Sequence, residues 1–151
     1  MKRTLVYLIL AVIIPSPVLG GEFQGTLKKI KETKTIALGH REASRPFSFL
    51  GDDKKPAGYS VDLCTRIATA LQQQLGLPDL QIKWVPVVPE NRIPLVVNGT
   101  IDLECSSTTN TLSRQEQVDF SYMTFVDGSP DRGRCGFSGF FTSWLVGIRR
   151  A

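Results

Sequence analysis

The chain reads as an α/β domain on a mainly parallel sheet, and three observations predict it. Short apolar runs of strand length alternate with helical patterns between Thr35 and Val126. One segment, Ser60 to Leu75, repeats apolar residues every four positions: Leu63, Ile67, Leu71 and Leu75, with Cys64 and Ala68 beside them, form one stripe. The composition is that of an ordinary globular protein, with 42% hydrophobic and 21% charged residues, and 151 residues suit one domain.

The elements follow in order. Glu22 to Lys34 is a polar leader. Thr35 to Gly39 is a short apolar run that predicts a buried strand, and Pro46-Phe47-Ser48-Phe49 an extended segment. Gly51 to Pro56 makes a polar turn. Ser60 is placed to cap the long helix and Asp62 to sit in its first turn, where negative charge is favoured; Gly76 and Pro78 stop it. Leu80 to Val87 alternates as a second strand. Pro89 to Asn98 suits a short helix with prolines near its start and Gly99 past its end. Ile101 to Cys105 predicts a third strand, Thr111 to Val118 a short polar helix, and Phe120 to Val126 an aromatic-rich fourth strand.

The N-terminus stands apart. Lys2 and Arg3 precede an apolar run from Leu5 to Ile14, then Pro15, Pro17 and Val18-Leu19-Gly20, the layout of a secretory signal peptide ending at residue 20. Ten residues rise about 15 Å as a helix, half of a hydrocarbon core of about 30 Å, which argues against a membrane anchor. The net charge of +4 is uneven: residues 21–129 carry 12 basic and 13 acidic side chains. A near-neutral body gives no nucleic-acid footprint. Cys64, Cys105 and Cys135 match no zinc or redox spacing, and no cofactor is expected. A Cys64–Cys105 disulfide and a pair of buried thiols explain their placement equally well.

In an open α/β sheet, ligands sit beyond the carboxyl ends of the strands. Arg41 follows the first strand and Arg92 the second. Ser106-Ser107-Thr108-Thr109, with Arg114, follow the third. A hydroxyl run entering a helix offers free N–H groups and a positive dipole end, and an arginine adds a fork for a carboxylate. Three arginines around hydroxyls suit a ligand with more than one carboxylate. Solvated surface arginines and a simple helix cap are the alternative that spacing alone leaves open. His40, beside Arg41, reads as neutral and structural.

Five stretches occur in order: Gly39-His40-Arg41-Glu42, Gly58-Tyr59-Ser60-Val61-Asp62-Leu63, Asn91-Arg92-Ile93-Pro94-Leu95, Asn98-Gly99-Thr100-Ile101-Asp102-Leu103-Glu104-Cys105 and Ser107-Thr108-Thr109-Asn110. Together, from about Gly25 to Ser129, they resemble the glutamate/aspartate-type periplasmic binding proteins of ABC importers, solute-binding protein family 3. The resemblance implies a three-layer αβα lobe of a type II periplasmic binding protein over residues 21–129, with the second lobe missing. It implies a periplasmic monomer that passes glutamate or aspartate to an ABC permease. It also implies site roles. Arg114 would hold the ligand α-carboxylate, and the Ser107 carbonyl and Thr109 hydroxyl would meet the α-amino group. Arg41 and Arg92 would bind the side-chain carboxylate. Pro89 departs from the pattern, since acidic-amino-acid binders often carry serine three residues before the second arginine.

After Ser129 the resemblance stops. Residues 130–151 read as a frameshifted tail, with a C-terminal helix from Phe137 to Ile148 as the alternative. A missing return segment would leave a sheet edge uncovered, and a lone lobe would bind its ligand weakly or not at all. An enzyme on the same scaffold, of the periplasmic dehydratase or lytic type, is the competing function. Glu42, Glu90 and Glu104 are the carboxylates near the pocket, and none is paired with a second titratable group at suggestive spacing. An unrelated secreted interaction domain is the third reading.

Overall fold

A computed structural model describes residues 23–128 and 140–147. Twelve elements follow in chain order. They are α1 (Gly25–Thr33), β1 (Thr35–His40), β2 (Ala43–Ser44), β3 (Ser48–Leu50), β4 (Pro56–Ala57), α2 (Tyr59–Leu75) and β5 (Gln81–Pro86), then α3 (Arg92–Val97), β6 (Leu103–Thr108), α4 (Leu112–Gln115), β7 (Asp119–Gly128) and β8 (Phe140–Gly147). The main sheet has the order β5-β1-β6-β8-β7, and β2-β3-β4 form a small second sheet. β1 pairs in parallel with β5 on one side and with β6 on the other. The chain therefore leaves β1, builds β5, and crosses back over β1 to reach β6. All three strands end at the same edge, which opens a crevice there.

The long helix is the best-defined element. Gly76 ends it at φ 63, with Gly76 N–H donating to Gln73 O and Leu77 N–H to Gln72 O, the paired bonds of a Schellman stop. Its start differs from the expectation. Gly58, at φ 121, precedes the helix, and a Cβ there would lie 2.5 Å from Phe47 O. Ser60 is already inside the first turn and does not cap it; its hydroxyl donates to Ser106 O at 2.9 Å instead. The buried stripe is Val61, Cys64, Ala68 and Leu75, with Leu63 and Leu71 packed at its border and Ile67 exposed. This stripe meets Ile36 and Leu38 of β1 and Cys105 of β6. A disulfide joins Cys64 to Cys105, which decides the question the sequence left open. On the other face of the sheet, Val87, Ile93, Val96, Ile101 and Val118 form a second cluster under α3.

Two further expectations are corrected. The polar leader holds a helix, α1, whose Ile30 is buried in the first cluster; one inward residue in nine gives a weak apolar period. Lys29 of α1 bonds Asp102 at 2.9 Å, and Asp102 accepts the Ala37 N–H at 2.8 Å, so the helix is tied to both β1 and the start of β6. The proposed C-terminal helix is not formed over 140–147. That segment is β8, antiparallel to both β6 and β7. Its Phe, Thr, Trp and Val content favours a pleated strand, and it lies between β6 and β7 in the sheet. The signal peptide expected at 1–20 and the rest of the 130–151 tail lie outside the described residues.

Candidate functional site

The candidate site lies where β1, β5 and β6 end. Arg41 is the residue after β1 and half-buried. Ser48, fully buried, fixes its backbone: the hydroxyl accepts the Arg41 N–H at 2.9 Å and lies 3.3 Å from Arg41 O. His40 is buried, with its Nδ1 3.3 Å from Arg41 O and its ring edge-on to Trp84 at 6.0 Å, a structural placement. After β5 the chain turns through Val88 to Asn91, where Asn91 Oδ1 accepts the Val88 N–H at 2.8 Å and Arg92 N–H donates to Val88 O at 3.2 Å. Pro89 is exposed on this turn.

The turn sends Arg92 inward. Only 7% of its surface is exposed, and its Nε and Nη1 have no hydrogen-bond partner among the described residues. Leaving buried N–H groups unpaired is costly, so the geometry is that of a donor waiting for an acceptor. Burial lowers the Arg92 pKa from its ordinary value. Glu104 acts against this, while Arg114 and Arg41 add to it through charge repulsion. Arg41 and Arg114 therefore both lie within electrostatic reach of Arg92.

The hydroxyl run behaves differently from expectation. Ser106, Ser107 and Thr108 continue β6 rather than opening a helix, as suits β-branched and small polar residues beside a paired strand. Helix α4 has four residues, and Thr111 gives it no side-chain cap. A helix this short contributes little dipole. Ser107 and Thr109 are partly buried at the end of β6. Arg114 is half-buried and donates from Nη1 to Thr109 O at 2.8 Å, which holds it beside that strand end.

Sequence reasoning named Glu104, Ser106 and Thr108 near the pocket but did not join them into one buried cluster. Glu104 is completely buried and takes hydrogen bonds from the Ser106 hydroxyl and, at 2.7 Å, from the Thr108 hydroxyl. Residues 104, 106 and 108 share one face of β6, while Cys105 points to α2; strand alternation would have shown this had β6 been extended to residue 108. Burial raises the Glu104 pKa, opposed first by these two hydroxyls and then by Arg92 and Arg41. Among the described residues no group of three His, Cys, Asp or Glu side chains could hold a metal ion.

The family model for bacterial extracellular solute-binding proteins, family 3, matches residues 36–129. An L-glutamate/L-aspartate-binding protein of Pseudomonas aeruginosa is 52% identical over 122 residues, 80% of this chain and 40% of that protein. A glutamate/aspartate import solute-binding protein of Escherichia coli K12 is 48% identical, over 69% of this chain and 34% of its own length. The chain thus spans well under half of these curated relatives. Among solved structures, a mutant of the arginine-bound form of domain 1 from TmArgBP superposes with a TM-score of 0.60 at 27% identity, covering 80% of this chain and 83% of that one. An ancestral cationic amino-acid solute-binding protein gives 0.57 at 30% identity, over 68% of this chain and 42% of its own. These relatives are named as binding proteins, not enzymes. With the match running from β1 through the site to residue 129, the chain belongs to the bacterial extracellular solute-binding proteins of family 3.

Proposed function

We propose that this lobe holds an acidic amino acid, glutamate or aspartate, for delivery to an ABC importer in the periplasm. The observation that carries the reading is Arg92: a buried guanidinium with unpartnered N–H groups, joined by two more arginines at the edge where three strands end. Arg41 and Arg92 are assigned to the side-chain carboxylate, and Arg114 to the α-carboxylate. The Ser107 carbonyl and the Thr109 hydroxyl are assigned to the ammonium. Bidentate forks suit carboxylates, and two separate forks suit a dicarboxylate. The names of the Pseudomonas and E. coli relatives support the same ligand class. The assignment as a receptor rather than an enzyme is supported by those names and by Glu104, whose two oxygens are both taken up by hydroxyls.

The lobe offers one face of a cleft. Charged hydrogen bonds weaken when water reaches them, so a ligand held by this lobe alone is held weakly. The arginine-bound domain 1 from TmArgBP supports retention of ligand by a single lobe of this fold. Calorimetry of the purified chain with glutamate, aspartate and neutral amino acids tests the reading. Binding confined to the acidic pair supports it, and equal affinity for leucine or alanine sinks it. Export through a cleaved leader is tested by N-terminal sequencing of the periplasmic product, which is expected to begin at residue 21.

A further inference from the structure

We propose that Glu104 is a specificity-determining residue: a buried counter-ion beneath the arginines whose charge sets how strongly the site prefers a second carboxylate on its ligand over the neutral amide. The inference rests on the reading of the site as an amino-acid receptor, and it adds a residue that would not touch the ligand.

Glu104 is fixed in the interior. It lies in β6 with no exposed surface, and the hydroxyls of Ser106 and Thr108, two and four residues on along the same strand face, close on its two oxygens. Each oxygen lies within hydrogen-bond reach of a hydroxyl that can donate to the ionised carboxylate. Water does not reach this charge, so its field extends into the protein largely unscreened. Helix α3 packs on β6 and places Arg92 within that field, as does the loop carrying Arg41. Arg92 makes no direct hydrogen bond from Nε or Nη1 among the described residues. Its burial is therefore balanced by charge at a distance, and its N–H groups stay available.

Glu104 is the buried carboxylate beside the three guanidiniums, and Glu90 also lies within electrostatic reach of Arg92. An acidic amino acid brings two carboxylates and one ammonium. The amide form brings the same α-carboxylate and ammonium but a neutral side chain. A change in charge at position 104 thus acts on the difference between the two ligands, while the shared groups cancel.

Glutamate and glutamine are to be titrated into the purified chain and its Glu104→Gln variant at pH 8. The ratio of the glutamine Kd to the glutamate Kd is expected to grow about tenfold in the variant, the effect of one nearby charge. An unchanged ratio, with both constants moving together, overturns the proposal, because a purely structural role shifts both ligands alike. A second measurement needs no ligand: thermal unfolding of Arg92→Met, Glu104→Gln and the double variant. Arg92→Met strands the buried carboxylate, so adding Glu104→Gln is expected to recover part of the lost Tm. Additive losses overturn the pairing. If the unmutated chain takes up neither amino acid, the receptor reading fails, and the unfolding cycle alone decides whether Glu104 is the counter-ion of Arg92.

Discussion

Cys64 of α2 and Cys105 of β6 are bonded to each other across the core, 41 residues apart in sequence, and both are fully buried. Cys105 sits between Glu104 and Ser106, so the bond pins the strand that carries the site's hydroxyls. A cross-link of this span stabilises mainly by restricting the unfolded chain, by about 2–4 kcal/mol. Urea unfolding with and without reductant is expected to show a loss of that size, and the Cys64→Ala, Cys105→Ala double variant is expected to match the reduced chain. A midpoint insensitive to reductant would contradict the bond.

Arg114 is half-buried and tethered to Thr109 O, so removing its charge should cost ligand and spare the fold. Arg114→Met is expected to weaken glutamate binding at least tenfold, in line with about 1.5–3 kcal/mol for a hydrogen bond to a charged group. Its Tm is expected to stay within about 2–4 °C of the unmutated chain. Unchanged affinity in this variant would remove Arg114 from the site.

Asp102 and Lys29 form an ion pair of unequal members. The Asp102 side chain is 4% exposed and also accepts the Ala37 N–H, whereas the Lys29 side chain is 43% exposed. Asp102→Ala leaves a buried backbone donor unpaired and is expected to cost about 1–3 kcal/mol. Lys29→Met loses only a partly solvated pair and is expected to cost less than about 1 kcal/mol. Denaturant unfolding of both variants checks the order. Equal losses would show that the ion pair, not the backbone bond, matters.

Glu104 imposes a pH dependence whose sign follows from its burial. Its folded pKa lies above the ordinary value of about 4.5, because desolvation outweighs the hydroxyls and arginines. Above that ordinary value the folded chain holds more protons at this site than the unfolded chain, so stability falls as pH rises. The contribution is complete below about pH 4.5 and is lost as pH climbs through the raised pKa. Glu104→Gln is expected to flatten this decline when unfolding free energies are compared from pH 4.5 to 8. Parallel curves for the two proteins would contradict the shift.

Much of this was legible in the residues. The four-residue spacing from Leu63 and the Gly76 stop gave α2, since a 3.6-residue period and a left-handed glycine leave little choice. Arg41 and Arg92 could be placed near one edge because parallel strands send their following loops there. Helix α1 was missed because only Ile30 faces inward, and a single buried residue makes no period. The Ser/Thr run looked like a helix entry because Ser and Thr favour caps, yet pairing with β8 at Thr108 keeps it extended. Ser60 looked like a cap for the same reason, until β6 offered its hydroxyl a carbonyl acceptor.

The sequence by itself determined the α/β class, the long helix, the strand ends that carry the arginines, and the family. These depend on local periodicity and on motif order along the chain. Only the tertiary structure decided that Cys64 bonds Cys105, that 140–147 enters the sheet as a strand, and that Glu104 lies buried near Arg92. Each of these depends on which distant residue comes close after packing, and charge and thiol chemistry act through space rather than along the backbone.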